Sequence, residues 1–189
     1  PEDLGSFVRQ HDGIKIDLEE HLSSEVVRAV QEGAADMGVC NAASLSRGAA
    51  SELQTLAYRE DRLALVLPHD HPLAGAEAVR FLETLDFDHV GLHANSSVSQ
   101  TMQQAAAQWG RSIRLRIRVT GLDAMCRMIA NGLGVGIMPD RAFDLMHRSG
   151  SLQRVPLADD WALRQIVLIA RDFSSLPVTA RLLVDQIGR

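Results

Sequence analysis

Residues 129–139 read Ile129-Ala130-Asn131-Gly132-Leu133-Gly134-Val135-Gly136-Ile137-Met138-Pro139, and they carry a helix into a strand. Upstream, Leu122, Met125, Cys126 and Ile129 recur at helical spacing, with Thr120 three residues before Asp123 as a capping-box-like start. Asn131-Gly132 stops that helix, and Val135, Ile137 and Met138 form a strand closed by Pro139. The string Gly132-Leu133-Gly134-Val135-Gly136 invites a dinucleotide reading, but a phosphate-binding turn leaves a strand and opens a helix. Here the order is reversed, so the glycines are assigned to a C-cap and to close packing.

The same step occurs earlier in the chain. Ser23 or Ser24 caps a helix with Val26, Val27 and Val30 as its buried stripe, Gly33 ends it, and Asp36-Met37-Gly38-Val39-Cys40 begins a strand. Before it, Leu4, Phe7 and Val8 mark a short helix over 2–11, with Pro1 suited to a first turn, and Ile14, Ile16 and Leu18 alternate as a strand. Asn41 to Ser51 reads as a loop, followed by two strands, Leu53 to Tyr58 and Arg62 to Leu67. The second is a nearly continuous apolar run, Leu63-Ala64-Leu65-Val66-Leu67, as strands buried on both faces are. His69-Asp70-His71-Pro72-Leu73-Ala74-Gly75 is turn-rich and is the expected passage between lobes.

The second half continues the alternation: a short helix at Phe81 to Leu85, a strand at His89 to His93, and a helix capped by Ser96 or Ser97. That helix places Met102, Ala106 and Trp109 on one side and ends at Gly110. Ile113, Leu115, Ile117 and Val119 alternate with Arg114, Arg116 and Arg118, a strand with one buried and one wet face. Arg141 to Met146 suggests a helix, Leu152 to Leu157 and Ala162 to Ala170 suggest strands, and a last helix after Pro177 carries Leu182, Leu183 and Ile187. Strand and helix alternate throughout, which predicts α/β layers with largely parallel sheets.

The 189 residues are 46% hydrophobic and 23% charged, ordinary for a folded protein of one large domain or two small lobes. A net charge of -5 and a pI near 5.8 argue against this segment gripping nucleic acid by itself. Cys40 and Cys126, far apart, are expected as reduced, buried thiols. No apolar run approaches a membrane span and no leader pattern opens the chain, so the cytoplasm is the default location. An opening of Pro1-Glu2-Asp3 is compatible with a fragment.

The chemistry gathers at helix starts. Leu22-Ser23-Ser24 and Asn95-Ser96-Ser97 each open a helix, and a helix start offers unpaired N–H groups and a positive dipole end to an anion. Plain capping accounts for any one such turn without a ligand; their convergence on one cleft would make a binding site. His21 and His93 each precede such a turn, either to tune anion binding or to bond backbone groups. His69, Asp70 and His71 lack a third separated ligand of recognisable metal spacing, so no metal or other cofactor is expected. The Arg114, Arg116 and Arg118 stripe reads as a wet face or a subunit contact. No GxSxG, HExxH or paired-carboxylate pattern points to an enzyme.

Three strings taken in order resemble the effector-binding domain of LysR-type transcriptional regulators. They are Val30-Gln31-Glu32-Gly33-Ala34-Ala35-Asp36-Met37-Gly38-Val39, His71-Pro72-Leu73-Ala74, and the 129–139 stretch. The resemblance covers nearly the whole chain. It implies two Rossmann-like α/β subdomains joined by two crossover strands, similar to type 2 periplasmic binding proteins, with a small, anionic effector between them. Subdomain I would span 1–66 and 165–189 without the family's first strand, and subdomain II would span 67–164. The family's winged helix-turn-helix, which binds DNA, would lie outside this chain. The resemblance also implies a homodimer or homotetramer and no membrane partner. Carried over by position, the effector contacts fall on Ser23 and Ser24, on Asn95, Ser96 and Ser97, and on Thr120, Gly121 and Leu122. A solute-binding component of a transport system is the alternative, and a two-lobed enzyme a further one.

Overall fold

The computed structural model describes residues 2–45, 48, 52–146 and 150–188. In chain order its elements are α1 (Glu2–Gln10), α2 (Ser23–Glu32), β1 (Met37–Asn41), β2 (Gln54–Pro68), α3 (Phe81–Thr84), β3 (His89–Gly91), α4 (Ser97–Gln108), β4 (Leu115–Arg118), α5 (Leu122–Ala130), β5 (Gly136–Pro139), α6 (Asp140–Met146), β6 (Leu152–Pro156), β7 (Leu163–Ala170) and α7 (Val178–Ile187). Pro1 and residues 46, 47 and 49–51 of the expected loop at 41–51 lie outside the described residues. Within that stretch Ala42–Ser44 form a 3-10 turn, with Asn41 Oδ1 accepting from the Ala43 N–H at 3.1 Å.

The chain divides into two compact units, Pro1–Arg59 with Gln165–Arg189, and Glu60–Arg164. Both divisions fall inside strands, β2 and β7. The turn-rich segment 69–75 therefore belongs wholly to the second unit and is not the passage. The first division also lies ahead of the 66/67 break expected from the sequence.

In the first unit, Val27 and Val30 of α2 pack against Cys40, Leu53 and Ile169. Helix and strand approach closely at Gly38, where a Cβ would come within 2.5 Å of Val26 Cγ1. β1 runs antiparallel to β7, from Met37 opposite Ala170 to Asn41 opposite Ile166. Phe7 is buried and α1 lies on α7. Asp3 ties α1 to β2 by accepting hydrogen bonds from the Tyr58 hydroxyl and from Arg59 at 2.5 Å, which together hold its carboxyl below the ordinary carboxylate range.

The second unit is organised by β2. It pairs antiparallel with β5 along one edge and with β6 along the other. Its alternating side chains serve two separate cores: Leu63, Leu65 and Leu67 join Phe81, Leu85 and Val155, while Val66 joins Val90, Met125, Ile129 and Met138. Each side chain so buried contributes about 1.5–3 kcal/mol. β3 and β4 form a parallel pair, Val90 opposite Ile117 and Gly91 opposite Arg118. The glycine string performs backbone work: Gly132 ends α5 at φ +75°, and a Cβ on Gly134 would overlap the Asp88 carbonyl.

Several expectations are corrected. Ile14 to Leu18 forms no strand, because it finds no partner among the described residues and Leu18 is 65% exposed. The two strands expected over 53–67 are one strand of 15 residues, whose central charges are absorbed by ion pairs rather than by a turn. The sheets are mixed, with β3–β4 the parallel ladder and β1–β7, β2–β5 and β2–β6 antiparallel. Trp109 is 65% exposed, since it sits at the C-cap of α4, beyond the regular helical stripe. Val8 and Leu182 are also exposed, leaving Phe7, and Leu183 with Val184, as the residues that anchor their helices.

Arg164 of β7 and Asp61 of β2 form an ion pair whose side chains are 13% and 8% exposed. A buried charge left without its partner is costly, whereas replacing both members by apolar groups is near neutral. Asp61→Ala is expected to cost about 3–5 kcal/mol in urea denaturation, and Asp61→Leu combined with Arg164→Leu to recover most of it. A loss below about 1 kcal/mol for the single variant would show that the pair is solvated in solution.

Candidate functional site

The parallel pairing of β3 and β4 fixes where the second unit can bind a ligand. Each strand runs directly into a turn and then a helix, β3 through Asn95-Ser96-Ser97 into α4 and β4 through Thr120-Gly121 into α5. In register, both turns leave the same end of the pair, tied by the Val119 N–H donating to the Gly91 carbonyl at 2.8 Å. Ligands in α/β folds bind at the carboxyl ends of parallel strands for this reason: the loops and helix starts collect there.

The two turns spend their polar groups differently. Ser96 is the N-cap of α4: its Oγ accepts from the Ser99 N–H at 3.1 Å and its hydroxyl donates to Ser99 Oγ at 2.9 Å. Capping therefore accounts for Ser96. The Ser97 carbonyl accepts from the Thr101 hydroxyl at 2.9 Å, while its own hydroxyl and the first-turn N–H groups of Ser97 and Val98 carry no bond among the described residues. At α5 the N-cap is Gly121, in extended conformation at φ -138° and ψ 158°, with no side-chain cap bond. Thr120 is thus exposed and does not cap, contrary to the capping-box expectation, and Leu122 opens the helix.

Ser23 and Ser24 belong to the first unit. Neither is a cap, because Leu22 occupies that position and the Glu25 carboxylate accepts its N–H at 3.1 Å. Ser23 Oγ accepts from the Asn41 N–H at 3.4 Å, a tie between α2 and the end of β1. This helix start is acidic. His21 lies 2.8 Å from Glu19 and 3.7 Å from Glu25, and the bond to Glu19 raises its pKa.

Beside the second-unit turns, a cavity of about 380 Å³ separates α4 from the β3–β4 pair. It is lined by Met102 and Val98 from the helix, by Ile113 and Leu115 from the strand side, and by the polar side chains of Ser99, Gln103 and Arg118. None of the sequence-predicted contact residues lines it. The alternation at 113–119 predicts a buried apolar face; Ile113, Ile117 and Val119 do pack against the cores, but Leu115, which lines the cavity, is 42% exposed. The arginine stripe is unequal: Arg111 pairs with Asp86 at 2.5 Å, and Arg114 and Arg116 reach Asp88 at 3.1 and 3.7 Å. Arg118 has no acidic partner among the described residues. Sequence reading missed this distinction, since which arginine Asp88 reaches depends on strand register.

His89, 1% exposed, also borders the cavity. Its Nδ1 lies 3.1 Å from the Phe87 carbonyl, which can only accept, so the proton sits on Nδ1; Nε2 lies 3.2 Å from the Thr84 hydroxyl, which donates its own proton to the Phe81 carbonyl at 2.7 Å. His69 and His71 are occupied elsewhere: His69 donates to the Gly150 carbonyl at 2.8 Å, and His71 Nδ1 accepts the Leu73 N–H at 3.2 Å. Cys40 and Cys126 are free and buried, one in each unit, and burial pushes the Cys40 thiol up to about 11.

The family model described as LysR substrate binding domain matches residues 1–189. Relatives include a probable RuBisCO transcriptional regulator of Synechocystis, 22% identical over 147 residues covering 76% of this chain and 42% of that protein. Another, named in the same way, is from Emiliania huxleyi, 22% identical and covering 93% and 54%. The chain thus spans about half the length of these relatives. Among solved structures, the Synechocystis CcmR regulatory domain in complex with 2-PG aligns with a TM-score of 0.86 at 17% identity, covering 100% of this chain and 88% of that one. The BenM effector binding domain with benzoate aligns at 0.79 and 19%, covering 99% and 83%. The effector binding domain of QuiR with shikimate aligns at 0.79 and 16%, covering 100% and 88%. The fold is that of these effector-binding domains, mixed α/β of the type 2 periplasmic-binding-protein kind.

Burial holds the His89 imidazole below its ordinary value of 6.5. Below pH 6.5 the unfolded chain therefore takes up protons that the folded chain refuses, so stability falls as pH falls through that range. Denaturation between pH 7.5 and 5.5, values chosen to span roughly one unit either side of the ordinary histidine pKa, should show this slope, and His89→Gln should flatten it. An unchanged slope in the variant would assign the dependence to another group.

Proposed function

This chain belongs to the LysR substrate binding domain family, and on that premise we propose that it senses a small anionic metabolite for a transcriptional regulator. The observation that carries the reading is the pair of β-to-α turns at one end of the β3–β4 ladder, with the Ser97 hydroxyl and two helix-start N–H groups uncommitted. Asn95, Ser96 and Ser97 with Thr120, Gly121 and Leu122 supply the second unit's contacts; within the first turn Ser97 binds while Ser96 shapes the backbone. Benzoate and shikimate, named with two of the structural neighbours, each carry a carboxylate of the kind such a helix start accepts. Ser23 and Ser24 enter on the family resemblance alone, and the carboxylates of Glu19 and Glu25 beside them oppose an anion.

The whole regulator's activities belong to the same proposal: DNA contact through a helix-turn-helix outside this chain, assembly as a homodimer or homotetramer, and work in the cytoplasm where the DNA is. Binding is reversible and the ligand leaves unaltered, which recovery of intact ligand after prolonged incubation tests. The transport reading gains nothing from the relatives, which are named as transcriptional regulators. A ligand switches such a protein only through its difference in affinity between two conformations.

Thermal-shift screening against small carboxylates, phosphates and sugar acids should give a saturable rise in melting temperature with a member of the panel. Calorimetry with that ligand then separates the serines. Ser97→Ala should weaken binding by about 0.5–1.5 kcal/mol, or up to about 3 if the accepted group is charged, at little cost in stability. Ser96→Ala should instead lower stability by about 0.5–2 kcal/mol as a lost cap. Undiminished affinity in Ser97→Ala would remove that turn from the site, and the same result for Ser23→Ala would remove the first unit's serine.

A further inference from the structure

We propose that the cavity between α4 and the β3–β4 pair is a binding site of its own, for a small molecule with an apolar body and one carboxylate head held by Arg118. The reading goes beyond the turns, since of their residues only Val98 lines the cavity, and it does so with its apolar side chain. Three observations converge on this ligand chemistry. The space, about 380 Å³, lies within the range of small-molecule pockets, which begin near roughly 300 Å³. Its walls are apolar from both sides, Val98 and Met102 on the helix and Ile113 and Leu115 on the strand side. Along the alternating stretch 113–119, Ile113, Ile117 and Val119 pack against the cores, whereas Leu115, which lines the cavity, stays 42% exposed.

The polar groups are few and fit a single head. Asp86 pairs with Arg111, and Asp88 is shared by Arg114 and Arg116, leaving Arg118 as the lining cation with no acidic partner among the described residues. Its guanidinium fork matches a carboxylate in a bidentate pair. Ser99 and Gln103, one helical turn apart on α4, add hydrogen-bonding groups to the same lining. A neutral apolar molecule would leave this cation unused.

The test follows the methionine methyl resonances of the full chain by NMR. Met102 and Met125 line the cavity, whereas Met37 and Met146 do not. Hexanoate and benzoate should shift the Met102 and Met125 methyls saturably and leave Met37 and Met146 in place. Arg118→Gln should weaken that binding roughly ten- to a hundredfold, as expected for a charged hydrogen-bonded pair, with Arg118→Lys recovering part of it. Ser97→Ala should leave it unchanged. Absence of shifts at both methyls, equal affinity in Arg118→Gln, hexanol binding as tightly as hexanoate, or inorganic phosphate producing the same shifts would each overturn the proposal. A loss in Ser97→Ala as large as in Arg118→Gln would also overturn it, by placing the acid at the turns, and would leave the sensor reading standing. The reverse result, hexanoate in the cavity with no ligand sensitive to Ser97, would support this site and count against the turns.

Discussion

The two-sided burial of β2 is the constraint on which the second unit depends. Leu63, Leu65 and Leu67 point into one core and Val66 into another, while both backbone edges are paired. Over Leu63 to Leu67 a strand in that position can hold no charge and no break, and its charged residues, Arg59 to Arg62, precede that stretch. β5 must then lie along β2, which places Gly134 against the Asp88 carbonyl and Val135 beside His89. That contact sets the height of β3 in the structure, and β3 sets β4 through the parallel ladder. The turns that open α4 and α5 inherit their common position from a packing decision made in β2. Binding groups are held by rigid elements in this arrangement, as a precise site requires.

How far the sequence reveals this follows from which interactions are local. The helix-to-strand steps at 30–39 and 129–139 are legible because a glycine stop, a helical stripe and an alternating strand are written within a dozen or so residues. The continuous apolar run of β2 likewise announces burial on both faces. Ile14 to Leu18 shows the limit: alternation is a request for a partner strand, and nothing in those residues says whether one is supplied. Arg59, Glu60 and Asp61 show another limit. Three charged residues look like a break until Asp3 and Arg164 are found beside them, and those partners lie far away in sequence. Distant pairing is also why the ladders are antiparallel where strand-helix alternation suggests parallel ones.

At the candidate site the sequence names the right turns and misjudges their atoms. A serine at a helix start looks the same whether its hydroxyl serves the backbone or remains free. Geometry separates Ser96, fully engaged with Ser99, from Ser97, one residue on. It likewise moves the cap at α2 from the serines to Leu22 and the cap at α5 to Gly121, because an N-cap is chosen by backbone conformation and not by the nearest hydroxyl. Arginines obey the same rule. Alternation makes Arg114, Arg116 and Arg118 equivalent, and only the approach of Asp88 makes them unequal.

Charge bookkeeping then bears on how an anion could be recognised by an acidic chain. With a net charge of -5, the field at a distance repels an anion, but in physiological salt that field decays within about 8 Å. Attraction must therefore be short-ranged, arising from groups within contact distance of the ligand. A helix start supplies such groups as backbone N–H donors whose direction is fixed by the fold. Arg118, with no acidic partner among the described residues, supplies one more. Recognition built this way depends on hydrogen-bond geometry more than on total charge, so it can tell one small acid from another while the surrounding carboxylates exclude polyanions.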